Sequence, residues 1–375
     1  MCSFRCACIT LLLSLFAICS VQAQAPVAPE ADTLRAAAER GEQLHIFEFG
    51  GGYEPGPGPN VALEYFYTGF PHGYLSVTAG WAGQLLGSLG YTHHIDLAGE
   101  GRPRVTISPA LFSDFVANRF LDQLDASERR TGARLNVAYR RAISFRWTYN
   151  QFVETSHARI HLSPDEAANS LTDLTTLETG PRFRRAAFEG LLPFDWLLEG
   201  NARAGWDHSQ DVAFARVRLG TRYHHAFSEG FASSTEVRGE WASANAPVFE
   251  RLSFGGSVTV RGYRRDEFIG RSLWNLQQEL WMPVPGTMGA SRGFRRTLRD
   301  HLRIATFFDV GGVGETLTEG DEGVRAGTGI GIRFNLGGIT FRADWGHRLT
   351  DLQDGNLRGG FFIGIQPDIS VFMFG

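Results

Sequence analysis

The stretch "VRAGTGIGIRFNL" (residues 324–336) decides the fold. On an extended chain, successive side chains point to opposite sides, so Val324, Ala326, Thr328, Ile330, Ile332, Phe334 and Leu336 share one face. Arg325, Gly327, Gly329, Gly331, Arg333 and Asn335 share the other. A strand of a soluble sandwich has about 5–6 residues, whereas a tilted strand needs about 9–11 to cross a bilayer. The alternation here runs the longer distance. Its apolar face fits lipid, and its arginine- and glycine-rich face fits a wet lumen. The stretch predicts one strand of a transmembrane barrel.

The pattern recurs on both sides. "ITFRADW" (339–345) sets Ile339, Phe341, Ala343 and Trp345 against Thr340, Arg342 and Asp344. "LRIATFFDV" (302–310) sets Leu302, Ile304, Phe308 and Val310 against Arg303 and Asp309. "ARLNVAYR" (133–140), "EGNARAGWD" (199–207) and "RVRLGTRYH" (216–224) alternate alike. Strands are predicted at 43–53, 59–69, 73–83, 85–96, 102–117, 129–141, 143–157 and 173–186. The second half adds 194–208, 211–225, 231–243, 272–284, 301–315, 323–336, 338–350 and 358–370. The expected class is all-β, a sixteen-stranded antiparallel transmembrane barrel, even-numbered as bacterial barrels are. With the N-terminus in the periplasm, the connections at 119–132, 158–173 and 244–271 face outward and should be long. The tight turns at 140–144 and 335–338 fall on the periplasmic side.

Composition narrows the class further. Glycine supplies 45 of 375 residues, about 12% against an average near 7%. All 36 basic residues are arginine, which removes lysine Schiff-base chemistry. The formal charge of −4 and the lack of a basic tract argue against nucleic acid. Arg5, the apolar run "ITLLLSLFAICSV" (9–21) and Val21-Gln22-Ala23 read as a secretory signal over 1–23. Cys2, Cys6, Cys8 and Cys19 all lie inside it, so the processed chain should contain no disulfide or thiolate metal site. A linker with a short helix at 31–41 occupies 24–42, and the barrel domain fills 43–375. His93-His94 and His224-His225 point to opposite faces of a strand and cannot converge on one ion, so no metal or cofactor is expected. Neither G-x-S-x-G nor H-E-x-x-H occurs, and an enzyme is not expected.

The outward segment 244–271 carries "VRGYRRDEF" (260–268), far more charge than a strand connection needs. If it folds into the lumen, Arg261 requires carboxylates on inward positions. Parity offers two. In "LWNLQQELWMPV" (273–284), Trp274, Leu276, Leu280 and Met282 share the apolar face, which turns Glu279 inward. In "FFDVGG" (307–312), Asp309 lies opposite Phe308 and Val310. The expectation is that Arg261 bridges Glu279 and Asp309 through its fork of donors. Gly262 beside it allows a tight backbone turn.

Val260-Arg261-Gly262-Tyr263, an inward glutamate on the next strand, and Phe307-x-Asp309-x-Gly311 on the one after resemble the outer-membrane assembly factor superfamily. That superfamily includes the BamA-type, TamA-type and two-partner-secretion barrels, the bacterial surface antigen family. The resemblance covers roughly 245–366. It implies an outer-membrane protein that inserts, assembles or translocates polypeptides, with outer-membrane lipid around it and client polypeptides as partners. The alternative is a pore or structural barrel without client activity. Family members carry periplasmic POTRA modules before the barrel. About 20 residues separate Ala23 from the first strand, so such modules are expected to be absent, which puts client handling in question; a third option is a translocating half whose periplasmic receptor is a separate protein.

Overall fold

Residues that alternate between apolar and polar satisfy lipid on one side and water on the other only when their backbone groups are paired within a closed sheet. The computed structural model describes residues 43, 45–54, 58–82, 84–121, 124–144, 146–163, 171–189, 192–228, 230–287, 301–315, 323–336, 339–350 and 359–367. The predicted signal 1–23, the linker 24–42 and its helix 31–41 lie outside these residues.

The first strands are β1 (His45–Glu54), β2 (Gly58–Phe70), β3 (Gly73–Trp81), β4 (Leu85–Asp96), β5 (Arg104–Leu121) and β6 (Leu124–Ala142). Next come β7 (Trp147–Ser163), β8 (Leu171–Glu189), β9 (Leu192–Asp207), β10 (Val212–Ser228) and β11 (Phe231–Ala242). Two short strands follow, β12 (Leu252–Phe254) and β13 (Phe268–Gly270). The last are β14 (Ser272–Pro283), β15 (Leu302–Gly314), β16 (Val324–Leu336), β17 (Ile339–Arg348) and β18 (Gly359–Pro367). All except β12 and β13 pair with their chain neighbours, antiparallel, and β1 pairs with β18 to close a barrel. β12 and β13 pair only with each other, inside segment 244–271.

The wall is uneven. β5 to β10 have 16–19 residues each, while β17, β18 and β1 have 9–10. The closure is narrower still. Among the described residues, β1 and β18 share three residue pairs, Gly51–Ile365, Gly52–Gly364 and Tyr53–Ile363, against ten pairs between β1 and β2. Gly359 and Gly360, the glycines at the start of the last strand, pair with His347 and Gly346 of β17 and take no part in the closure. The glycines that do weaken it are Gly51, Gly52 and Gly364, which add no side-chain packing to the ladder.

The long outward connections expected at 119–132 and 158–173 are mostly strand. β5 and β6 pair up to Leu121–Leu124, and β7 runs on to Ser163. Alternation of hydrophobicity fades there while the hydrogen-bond ladder continues, so a reading based on apolar periodicity stops too early.

Outward positions expose Leu111, Leu219, Ile330 and Ile332 at 51–63% of their surface, as lipid contact requires. At the end of the barrel that holds segment 244–271, Tyr53, Trp81, Trp206, Trp241, Trp274 and Trp345 all face outward. A second set, including Tyr65, Tyr149, Phe183 and Trp196, lies toward the other end. Two aromatic belts bounding an apolar band are the mark of a membrane-embedded barrel.

The candidate functional site in the lumen

Segment 244–271 folds into the barrel and packs an apolar core against its inner wall. Ala246, Phe249, Leu252, Phe254, Val260 and Tyr263 from the segment meet Ile160, Leu162, Leu174, Phe214, Leu273 and Val313 from the wall. A fully buried phenylalanine or leucine contributes about 1.5–3 kcal/mol relative to exposure, so this core alone can hold the segment inside.

Arg261 is 1% exposed. Its backbone N–H and its Nε both donate to Asp309 Oδ2, at 3.0 and 2.7 Å, and Nη2 donates to Asp309 Oδ1 at 2.7 Å. Nη1 donates to Glu279 Oε1 and lies 3.5 Å from Asp344 Oδ2. The guanidinium carbon stands 3.6 Å from the centre of the Phe307 ring, a cation–π contact beneath the ion pairs. Arg261 thus joins the two predicted acids, and a third that parity had placed on the same face. Burial disfavours its charge, but the carboxylates of Asp309, Glu279 and Asp344 hold its pKa above the ordinary arginine value.

Two further arginines complete the group. Arg333 donates to both oxygens of Glu279, at 3.0 and 3.2 Å, and to Asp344. Arg342 donates from Nη2 to Asp344 Oδ2 at 2.6 Å. Trp281 Nε1 donates to Glu279 Oε2 at 2.7 Å. The cluster holds three arginines and three carboxylates, so it is neutral, and each acid accepts from more than one donor. Such multiple pairing offsets the desolvation that makes isolated buried charges costly.

The flanking motif residues set the approach. Gly262 has φ +103°, a left-handed backbone that a side chain would strain. Its carbonyl accepts from Arg348 Nε at 2.9 Å. Tyr263 shares a 2.6 Å hydrogen bond with Thr350 Oγ1, and Arg348 lies over its ring at 4.4 Å. Val260 is fully buried. On the wall, Gly327 faces the Arg261 backbone, and a β-carbon there would stand 2.0 Å from the Arg261 carbonyl oxygen. Gly311 lies beside Phe254 of β12.

Sequence reasoning missed a second attachment across the lumen. Glu250 ends a short 3-10 turn, Val248–Glu250, and is 1% exposed. Arg130 of β6 donates to its Oε1 at 2.8 Å, and Arg203 of β9 to its Oε2 at 3.2 Å. Arg130 also donates to the Phe249 carbonyl at 3.2 Å and sits 5.8 Å from the Phe249 ring. Burial pushes the Glu250 carboxyl upward, but Arg130, Arg203 and Arg216 outweigh it and hold its pKa below the ordinary value. Parity could have placed Arg130 and Arg203 inward, but not chosen their partner.

The histidine pairs stay apart. His93 lies beside Tyr91, and His94 Nδ1 is 3.1 Å from Thr106 Oγ1 on the opposite face.

The described residues thus form a closed antiparallel barrel with an inward loop held by an arginine among wall acids. Residues 195–366 match the Omp85 superfamily domain. In fold, the chain is similar to BamA from Haemophilus ducreyi lacking POTRA domains 1–3, with a TM-score of 0.64 and 12% identity. It is also similar to CdiB from Acinetobacter baumannii (TM-score 0.57, 14% identity) and CdiB from Escherichia coli (0.56, 13%). These matches cover 85–86% of this chain, but 70% of the BamA chain and 59% and 62% of the two CdiB chains. A comparison with curated proteins finds no match. The protein resides in the bacterial outer membrane.

Proposed function

We propose that this protein is a sixteen-stranded outer-membrane barrel that inserts or translocates polypeptides, with segment 244–271 as an internal lock and the β1–β18 closure as the client's point of entry. One observation carries the reading: among the described residues, the closure has three residue pairs where the next ladder has ten. Opening three pairs frees a strand edge at small cost, and a client strand can then pair with the exposed N–H and C=O groups. The lock supports the same route, because it keeps the lumen occupied and ties segment 244–271 to β14, β15 and β17, beside the closure. Client polypeptides, and a periplasmic partner that delivers them, belong to this proposal.

A cysteine pair at Gly51→Cys and Ile365→Cys, opposite each other in the ladder, tests it. Oxidation should abolish client assembly in cells depleted of the wild-type protein, and reduction should restore it. Full activity with the crosslink closed would refute entry at the closure and favour a barrel without client activity.

A further inference from the structure

The wall beneath segment 244–271 is short of hydrogen bonds at one place. Asn275 of β14 is 1% exposed, and neither its Oδ1 nor its Nδ2 meets a hydrogen-bonding group among the described residues. Strand parity turns it inward, between Arg238 of β11 and Gly311 of β15, its partners in the two ladders. The segment is what covers it. A β-carbon on Gly311 would stand 2.8 Å from the Phe254 ring of β12 and 2.9 Å from Asn275 Cα, so Phe254 lies over this part of the wall. Two residues along β14, Gln277 Nε2 donates to the Ser257 carbonyl at 3.5 Å. Two residues back, Leu273 belongs to the apolar core with Leu252 and Phe254. Asn275 thus sits under β12 and the turn that follows it.

Its neighbours do not relieve it. Gly311 has no side chain to offer, and Arg238 is turned to Glu240, its Nε 3.1 Å from Oε1. The contrast with Arg261 is sharp, since there each guanidinium nitrogen donates to a carboxylate. In an open, wet lumen both atoms of Asn275 would be hydrated. The seated segment takes that hydration away and returns no bond. A buried amide without partners bears its full desolvation cost, whereas an apolar group of similar shape at the same place bears none. Leu273 and Phe254 beside it show that apolar packing is the local chemistry. An amide here therefore favours the state in which the segment has moved away.

We propose that Asn275 is a release element of the lock: its amide is left unpaired only while segment 244–271 is seated, which holds the seated and released states close in free energy. The inference rests on the reading of the segment as a lock, and it needs no client. The ion pairs of Arg261 and Glu250 draw the segment in, and Asn275 sets a limit on how firmly it stays. A ligand or client that gains little from displacing the segment can then still displace it, because a small difference in affinity moves a nearly balanced equilibrium.

The test is hydrogen–deuterium exchange of the purified full barrel in detergent, without client, read by mass spectrometry on peptides covering 252–260. Exchange there reports opening of the segment. Asn275→Val removes both polar atoms and keeps a residue suited to a strand. Exchange over 252–260 should slow about tenfold, while exchange in β1 stays as in the wild type. Asn275→Leu, which keeps the branching of the amide, is read in its place should the valine variant fail to fold. Unchanged exchange over 252–260 would overturn the proposal. So would faster exchange, since the amide would then be bonded through water while the segment is seated. Equal slowing in β1 would also overturn it, because the effect would belong to the whole barrel. None of these outcomes depends on the Gly51–Ile365 crosslink, which tests client entry alone.

Discussion

At the scale of the residue, Arg261 is the cation that ties segment 244–271 to the acids of the wall. Its three guanidinium nitrogens each donate to one of two carboxylates, with a third acid within 3.5 Å and an aromatic ring below. Truncating it leaves Glu279, Asp309 and Asp344 buried with one cation fewer, which in a dry site costs about 3–5 kcal/mol. Arg261→Ala should therefore lower the temperature at which the folded barrel shifts mobility on a gel. Arg261→Lys should recover only part of the loss, because an ammonium lacks the fork that reaches Asp309 and Glu279 together. Equal stability of the alanine variant and the wild type would show the cluster to be decorative.

At the scale of the element, segment 244–271 is fastened at two walls by opposite chemistry. Toward β14 to β17 it presents a cation to acids, and toward β6 and β9 it presents Glu250 to cations. The folded pKa of Glu250 lies below its ordinary value of 4.5. Its contribution is thus present in full above 4.5 and lost as pH falls through the lower, folded value. Wild-type protein should keep the segment protected from protease at neutral pH and release it progressively under acid. Glu250→Gln should already be partly released at neutral pH, and its protection should respond less to acid. A variant with the wild-type acid profile would assign that transition to other carboxylates.

At the scale of the whole molecule, the apolar core between segment and wall occupies the lumen at the end that carries segment 244–271. Ion flow then depends on the segment being seated. Intact barrel in planar bilayers should show low, infrequent conductance, and removal of residues 246–267 should give a large steady pore. A large pore in the intact protein would favour a channel over the proposed client route. The uneven wall matters here too, since long strands β5 to β10 stand across the barrel from the short strands at the closure.

Much of this was legible in the chain. The alternation at 324–336 determined a lipid face and a lumen face, because period two admits one partition of its side chains between two solvents. The same parity turned Glu279 and Asp309 inward, and Arg261 was left with few other places to find acids. Parity even put Arg333, Arg342 and Asp344 on the lumen side, but a face is shared by dozens of residues and carries no distance across the barrel. Only the closed tertiary structure brought Glu250 to Arg130 and Arg203, and set Gly51, Gly52 and Gly364 in the closure ladder. Local pattern decides which way a side chain points. The stagger that closes the ladder, a property of all the strands together, decides what it meets.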